Sequence, residues 1–161
     1  MRVILIRHGD ALSSSPLGDE GRCLSVRGRE QARATGRALA GRGFAPDRVW
    51  ASPLVRAQQT AELVVAGFCE PGYAGVIEAR DDLYPDSPVE SLTQALARLL
   101  ARSEADAAST LLAVGHMPYM AAAASTLLGC SVSGFGTGHA YVLEVAGLHP
   151  HRVELEWRWL G

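Results

Sequence analysis

The chain contains no lysine: all 15 of its basic residues are arginine. A coding bias accounts for this most simply. It also means that any anion site must be built from arginine, histidine or backbone N–H groups. Cysteine is scarce as well. Cys23, Cys69 and Cys130 are three in number, far apart, and form no CxxC pair, which argues against a disulfide framework or a zinc knuckle. A reducing cytoplasm is the expected compartment. No apolar run approaches the roughly 20 residues of a membrane-crossing helix. The N-terminal apolar stretch is about five residues, short of the roughly 7–15 in a signal-peptide core. The net charge is −2 over 161 residues, so no bulk positive field favours nucleic acid. Hydrophobic residues, at 48%, suffice for one domain spanning 1–161 with a sizeable core.

Apolar strands and amphipathic helices alternate along the chain. RVILI (2–6) reads as a buried strand, and SSSPLGDEGR (13–22) as a loop. A helical pattern starts after Leu24, with Ser25 as N-cap and Gly41 and Gly43 at its end. DRVWAS (47–52) reads as a strand. It is followed by a helix to about Val65, capped by Ser52 with Pro53 in its first turn. GVIEA is a short strand. Ser87 and Glu90 form a candidate capping box for a helix to about Arg102. TLLAVG (110–115) is fully apolar. Pro118 opens a helix to about Leu128, and CSVSGFGTGH is a loop, read as flexible and beside a pocket. AYVLEVA and VELEWRWL alternate as strands, the latter near the surface or at an edge. This order implies a three-layer α/β sandwich with a mostly parallel central sheet flanked by helices.

Three of these strands end in chemistry. RVILI runs into Arg7, His8 and Gly9. RVWA runs into Ser52, with Arg56 one turn into the next helix. TLLAVG runs into His116. Ligands of open α/β sheets bind beyond the carboxyl ends of the strands, so parallel neighbours bring these residues into one crevice. Arginine forks and helix starts there suit a phosphoryl dianion. Singly, each residue has a plainer explanation: a structural histidine, a solvated arginine, a glycine turn. Their joint placement at three strand ends is harder to explain that way.

LIRHGDA, ASPLVRAQQTAEL and LLAVGHMP together resemble the histidine phosphatase superfamily, with its phosphoglycerate-mutase-like fold. LSVRGREQA corresponds to a further segment of that family. The chain's size, its RHGDA form and LYPDSPVESL resemble the small SixA-type phosphohistidine phosphatases. The resemblance implies that His8 is the nucleophile, forming a phosphohistidine intermediate, with Arg7, Arg56 and His116 around the phosphoryl oxygens. It implies no metal or other cofactor. The second nitrogen of His8 is expected to meet a carbonyl, with Gly9 leaving the backbone free to approach. Arg22 stands where SixA-type proteins carry an arginine near the phosphate. Ser52 offers either a hydroxyl to the substrate or a helix cap, and the cap is the favoured role.

The leaving group separates the possible substrates. An alkoxide calls for a carboxylic acid as proton donor; Asp82 and Asp86, within EARDDLYPDSPVESL, are the candidates, a solvated surface position being the plainer role for each. A phosphohistidine needs little help, because imidazole leaves with a conjugate-acid pKa near 6.5. The favoured reading is therefore a metal-independent phosphatase acting on protein phosphohistidine. The alternatives are a small-molecule phosphomonoesterase of the same fold, or a non-catalytic phosphate- or phosphoprotein-binding module. Partners are a phosphorylated protein or a small phosphate ester, with neither nucleic acid nor membrane. His149-Pro150-His151 reads as a solvated turn in preference to a metal site. Trp157 and Trp159 share one face of a strand, as packing residues or a subunit contact.

Overall fold

The structure is a computed structural model describing residues 1–68, 73–101, 109–148 and 152–161. Cys69, the His149-Pro150-His151 turn and the end of the third helix at Arg102 lie outside the described residues. Strands β1 (Arg2–Arg7), β2 (Arg48–Ala51), β3 (Ile77–Ala79), β4 (Thr110–Gly115), β5 (Ala140–Val145) and β6 (Val153–Trp159) form one six-stranded sheet. Its order is β3-β2-β4-β1-β5-β6. β1 to β4 are mutually parallel, and β5 runs against both of its neighbours. β6 is an edge strand, one of the two placements that its alternation left open.

The pleat sorts the core into two layers. Val3 and Leu5 of β1 face one side, and Ile4 and Ile6 the other. Helices α1 (Val26–Ala40) and α2 (Val55–Val65) cover Ile4, Ile6, Leu112 and Val114. Helices α3 (Val89–Leu100) and α4 (Tyr119–Leu128) cover Val3, Leu5, Leu111 and Ala113. β4 is buried at all six positions, as a strand covered on both faces must be. The three-layer expectation is met. Trp157 and Trp159 stack 6.3 Å apart against the α1–α2 layer, and Arg42 lies over the Trp157 ring.

Ser25 caps α1 as expected, its hydroxyl accepting from the Gly28 N–H at 3.0 Å. Two other caps differ. Ser52 is not the N-cap of α2: Leu54 is, with ψ at 134°, so the chain takes one more extended step before it winds. The Ser52 hydroxyl lies 3.4 Å from the Leu54 N–H, and the Val55 N–H donates instead to the Glu20 carbonyl. Nor do Ser87 and Glu90 form a capping box. Pro88 holds the N-cap position of α3 without a side-chain bond, and Ser87 donates to the Asp81 carbonyl at 3.0 Å. A 3₁₀ turn at Asp81–Leu83 draws Ser87 back toward itself.

Candidate active site

β4 lies between β1 and β2, all three parallel, so their carboxyl ends open on one side. Backbone bonds fasten these ends together. The His8 N–H donates to the Gly115 carbonyl at 2.9 Å, and the Ser52 N–H to the Val114 carbonyl at 3.0 Å. His8 and His116 thus follow adjacent strand ends, with ring centroids 5.0 Å apart. A cavity of about 430 Å³ is lined there by Arg7, His8, Arg22, Arg56 and His116, with Asp19, Pro85, Asp86 and Met117 around them.

The His8 ring has a defined tautomer. Its Nδ1 lies 2.6 Å from the Gly9 carbonyl oxygen, which can only accept, so Nδ1 carries the proton and Nε2 the lone pair. Burial lowers the His8 pKa to about 4, and Arg56, Arg7 and Arg22 push the same way against the Gly9 hydrogen bond. The ring is therefore neutral near pH 7. Gly9 is required by space: a Cβ there would stand 2.4 Å from the Gly28 carbonyl oxygen of α1. Its N–H donates to the Thr60 hydroxyl at 3.1 Å, and that hydroxyl donates in turn to the Arg56 carbonyl at 2.7 Å.

His116 is almost wholly buried, and among the described residues neither ring nitrogen has a hydrogen-bond partner. Burial, then the neighbouring His8 and Arg56, lowers its pKa to about 3. A buried polar group without a partner is costly, and a phosphoryl oxygen would supply one. Arg7 is in a similar position: Nη1 donates to the Phe135 carbonyl at 3.0 Å, while Nε is buried without a partner among the described residues. The 130–139 loop thus reaches the site through Phe135, whose ring stacks on Tyr141.

Arg56, buried at the start of α2, donates to the Asp19 carbonyl at 2.8 Å and to its carboxylate at 2.9 Å. Arg22 donates to the other carboxylate oxygen at 2.8 Å and to the Leu12 carbonyl at 2.6 Å. Asp19, Thr60 and Phe135 were not legible as site residues. Only two spacings hinted at them: Asp19 stands three residues before Arg22, and Thr60 one helical turn after Arg56.

The mid-chain carboxylates separate. Asp86 lines the cavity. Asp82 does not; Arg80 holds both its oxygens, at 3.1 and 2.6 Å, and stacks over Trp50. Ser52 is fully buried and also outside the lining. Cys23 and Cys130 are free thiols. Among the described residues, no group of three or more histidine, cysteine or acidic side chains is placed to hold a metal ion.

The α/β sandwich thus gathers two neutral histidines among arginines beyond its parallel strands, a donor set whose chemistry suits an oxyanion. The model of the histidine phosphatase superfamily, branch 1, matches residues 3–71 of this chain. A protein histidine phosphatase SixA solved with tungstate superposes with a TM-score of 0.84 at 24% identity, over 98% of this chain and 96% of that one. A SixA described as a putative phosphohistidine phosphatase, from Agrobacterium tumefaciens, gives 0.78 at 27% identity, with the same coverage of both chains. The mitochondrial serine/threonine-protein phosphatase Pgam5 of Drosophila persimilis is 48% identical over 63 residues, 39% of this chain. This chain spans 22% of the length of that curated relative.

Proposed function

We propose that the protein is a phosphatase that passes the phosphoryl group through His8, with protein phosphohistidine as its substrate. The neutral His8 ring, its Nδ1 proton held by the Gly9 carbonyl, carries this reading. Nε2 attacks phosphorus in line and the bond to the leaving group breaks. Arg7, Arg22 and Arg56 take up the charge on the phosphoryl oxygens. His116 meets the same oxygens with its unpartnered nitrogens; the incoming dianion raises its pKa, so it takes up a proton and donates it in a hydrogen bond. Water then attacks the phosphohistidine, releasing phosphate and restoring the neutral ring. The residues present perform both steps with no metal in either.

Phosphohistidine is favoured over an alkyl ester because the site has little to protonate an alkoxide. Asp82 is committed to Arg80, which leaves Asp86 as the one mid-chain candidate acid lining the cavity. A substrate imidazole protonated on its free nitrogen, at a pKa near 6.5, leaves neutral without an acid from the enzyme. The SixA likeness supports the same choice. With free thiols at Cys23 and Cys130, a reducing cytoplasm suits this reading.

Asp86 keeps a second reading in view, a phosphatase for small phosphate monoesters with Asp86 as acid. Initial rates on a phosphohistidine-bearing protein and on a panel of serine and sugar phosphates separate the two. The phosphohistidine protein is expected to turn over at least tenfold faster, with Asp86→Asn changing its rate little. Faster turnover of the alkyl esters, lost in Asp86→Asn, would reverse the assignment.

A further inference from the structure

The 13–22 loop is fastened to the first turn of α2 at its Asp19–Glu20 step. The Val55 N–H donates to the Glu20 carbonyl at 3.3 Å. Arg56 donates through Nη1 to the Asp19 carbonyl and through Nη2 to its carboxylate. The second carboxylate oxygen takes Arg22 Nη1. One carboxylate thus spans two guanidinium groups, one from the loop and one from the helix. Hydrogen bonds from Arg22, then Arg56, hold the Asp19 carboxyl below its usual range, so the bridge stays charged wherever the protein works. The Asp19 side chain is 61% exposed, against 6% for Arg56. An ion pair with one partner so exposed adds little stability. Its consequence is geometric: each arginine is fixed before a ligand arrives, and preorganised donors need no ordering on binding.

We infer that Asp19 is a positioning residue for phosphoryl transfer, holding Arg22 and Arg56 in the orientation in which they receive the phosphoryl oxygens. This rests on reading the cavity as the phosphoryl site. Asp19 itself acts through the arginines. A competing role makes the opposite forecast: a carboxylate that occupied the anion's place would weaken phosphate binding, and its removal would tighten it.

The test uses the full chain and its Asp19→Ala, Asp19→Asn, Arg22→Ala and Asp19→Ala/Arg22→Ala variants. Calorimetry measures the binding of inorganic phosphate, and p-nitrophenyl phosphate gives KM and kcat. Asp19→Ala is expected to weaken phosphate binding and raise KM by roughly tenfold, with kcat changing less than threefold. Asp19→Asn retains one acceptor oxygen and falls between; it carries the same test should the alanine variant not fold. The double variant should lose less than the product of the single losses, because the two residues act as one unit. Phosphate binding unchanged or tighter in both Asp19 variants, or losses that simply multiply, would overturn the role of Asp19. Failure of the wild-type protein to bind phosphate at all would overturn the site reading along with it.

Discussion

As the proposed nucleophile, His8 needs a neutral ring, and its surroundings keep it so. Burial and three arginines disfavour the imidazolium, lowering its pKa to about 4. Protonation would remove the Nε2 lone pair, so activity disappears as pH falls through the folded value, well below the 6.5 of a free histidine. The pH dependence of kcat/KM reports the free enzyme. Corrected for the second ionisation of the substrate phosphate, near 6, it should stay flat from pH 7 to about 5. Below about 4 it should fall tenfold per unit. An acid limb near 6.5 would contradict a buried, neutral nucleophile. At this scale the motif residues Arg7, His8, Arg56 and His116 could be placed together from their strand ends alone. Asp19 and Thr60 could not, because their parts depend on how a loop and a helix turn meet in space.

At the scale of elements, the critical contact is the one between the RHGD turn and α1. A Cβ on Gly28 would stand 1.9 Å from the Asp10 carbonyl oxygen, and one on Gly9 would be 2.4 Å from the Gly28 carbonyl oxygen. Two glycines face each other so that the turn carrying His8 can rest on the helix. Gly28→Ala should therefore cost about 1–3 kcal/mol, the range for overpacking, read as a lower urea midpoint. It should also lower kcat, since relief of the clash moves the Gly9 carbonyl that fixes His8. Unchanged stability would show that α1 can shift without cost. The strands and helices themselves were legible because apolar periodicity follows from burial. The starts of α2 and α3 were not. Ser52 and Ser87 have the chemistry of caps, but the Glu20 carbonyl and the 3₁₀ turn at Asp81–Leu83 claim the positions they would have filled.

Across the whole molecule, the sheet order brings distant segments together. β4 enters between β1 and β2, and this places His116 beside His8 although 107 residues separate them in the chain. That adjacency rests on β1 and β4 running parallel, with Arg7 opposite Gly115 in register. No helix among the described residues is long and apolar enough to cross a membrane. The class of fold followed from the order of elements, whereas the register and the strand order emerge only from the packing of both layers. In the proposed mechanism the assembled site carries a phosphoryl group on one nitrogen. Rapid mixing with an excess of ³²P-labelled phosphohistidine protein, quenched in base to preserve P–N bonds, measures this directly. The wild-type chain should take up label, to at most one phosphoryl group per molecule, and the label should be lost in acid. His8→Ala should take up none and turn nothing over while still binding inorganic phosphate. Undiminished turnover in His8→Ala, or label retained by that variant, would contradict His8 as the nucleophile.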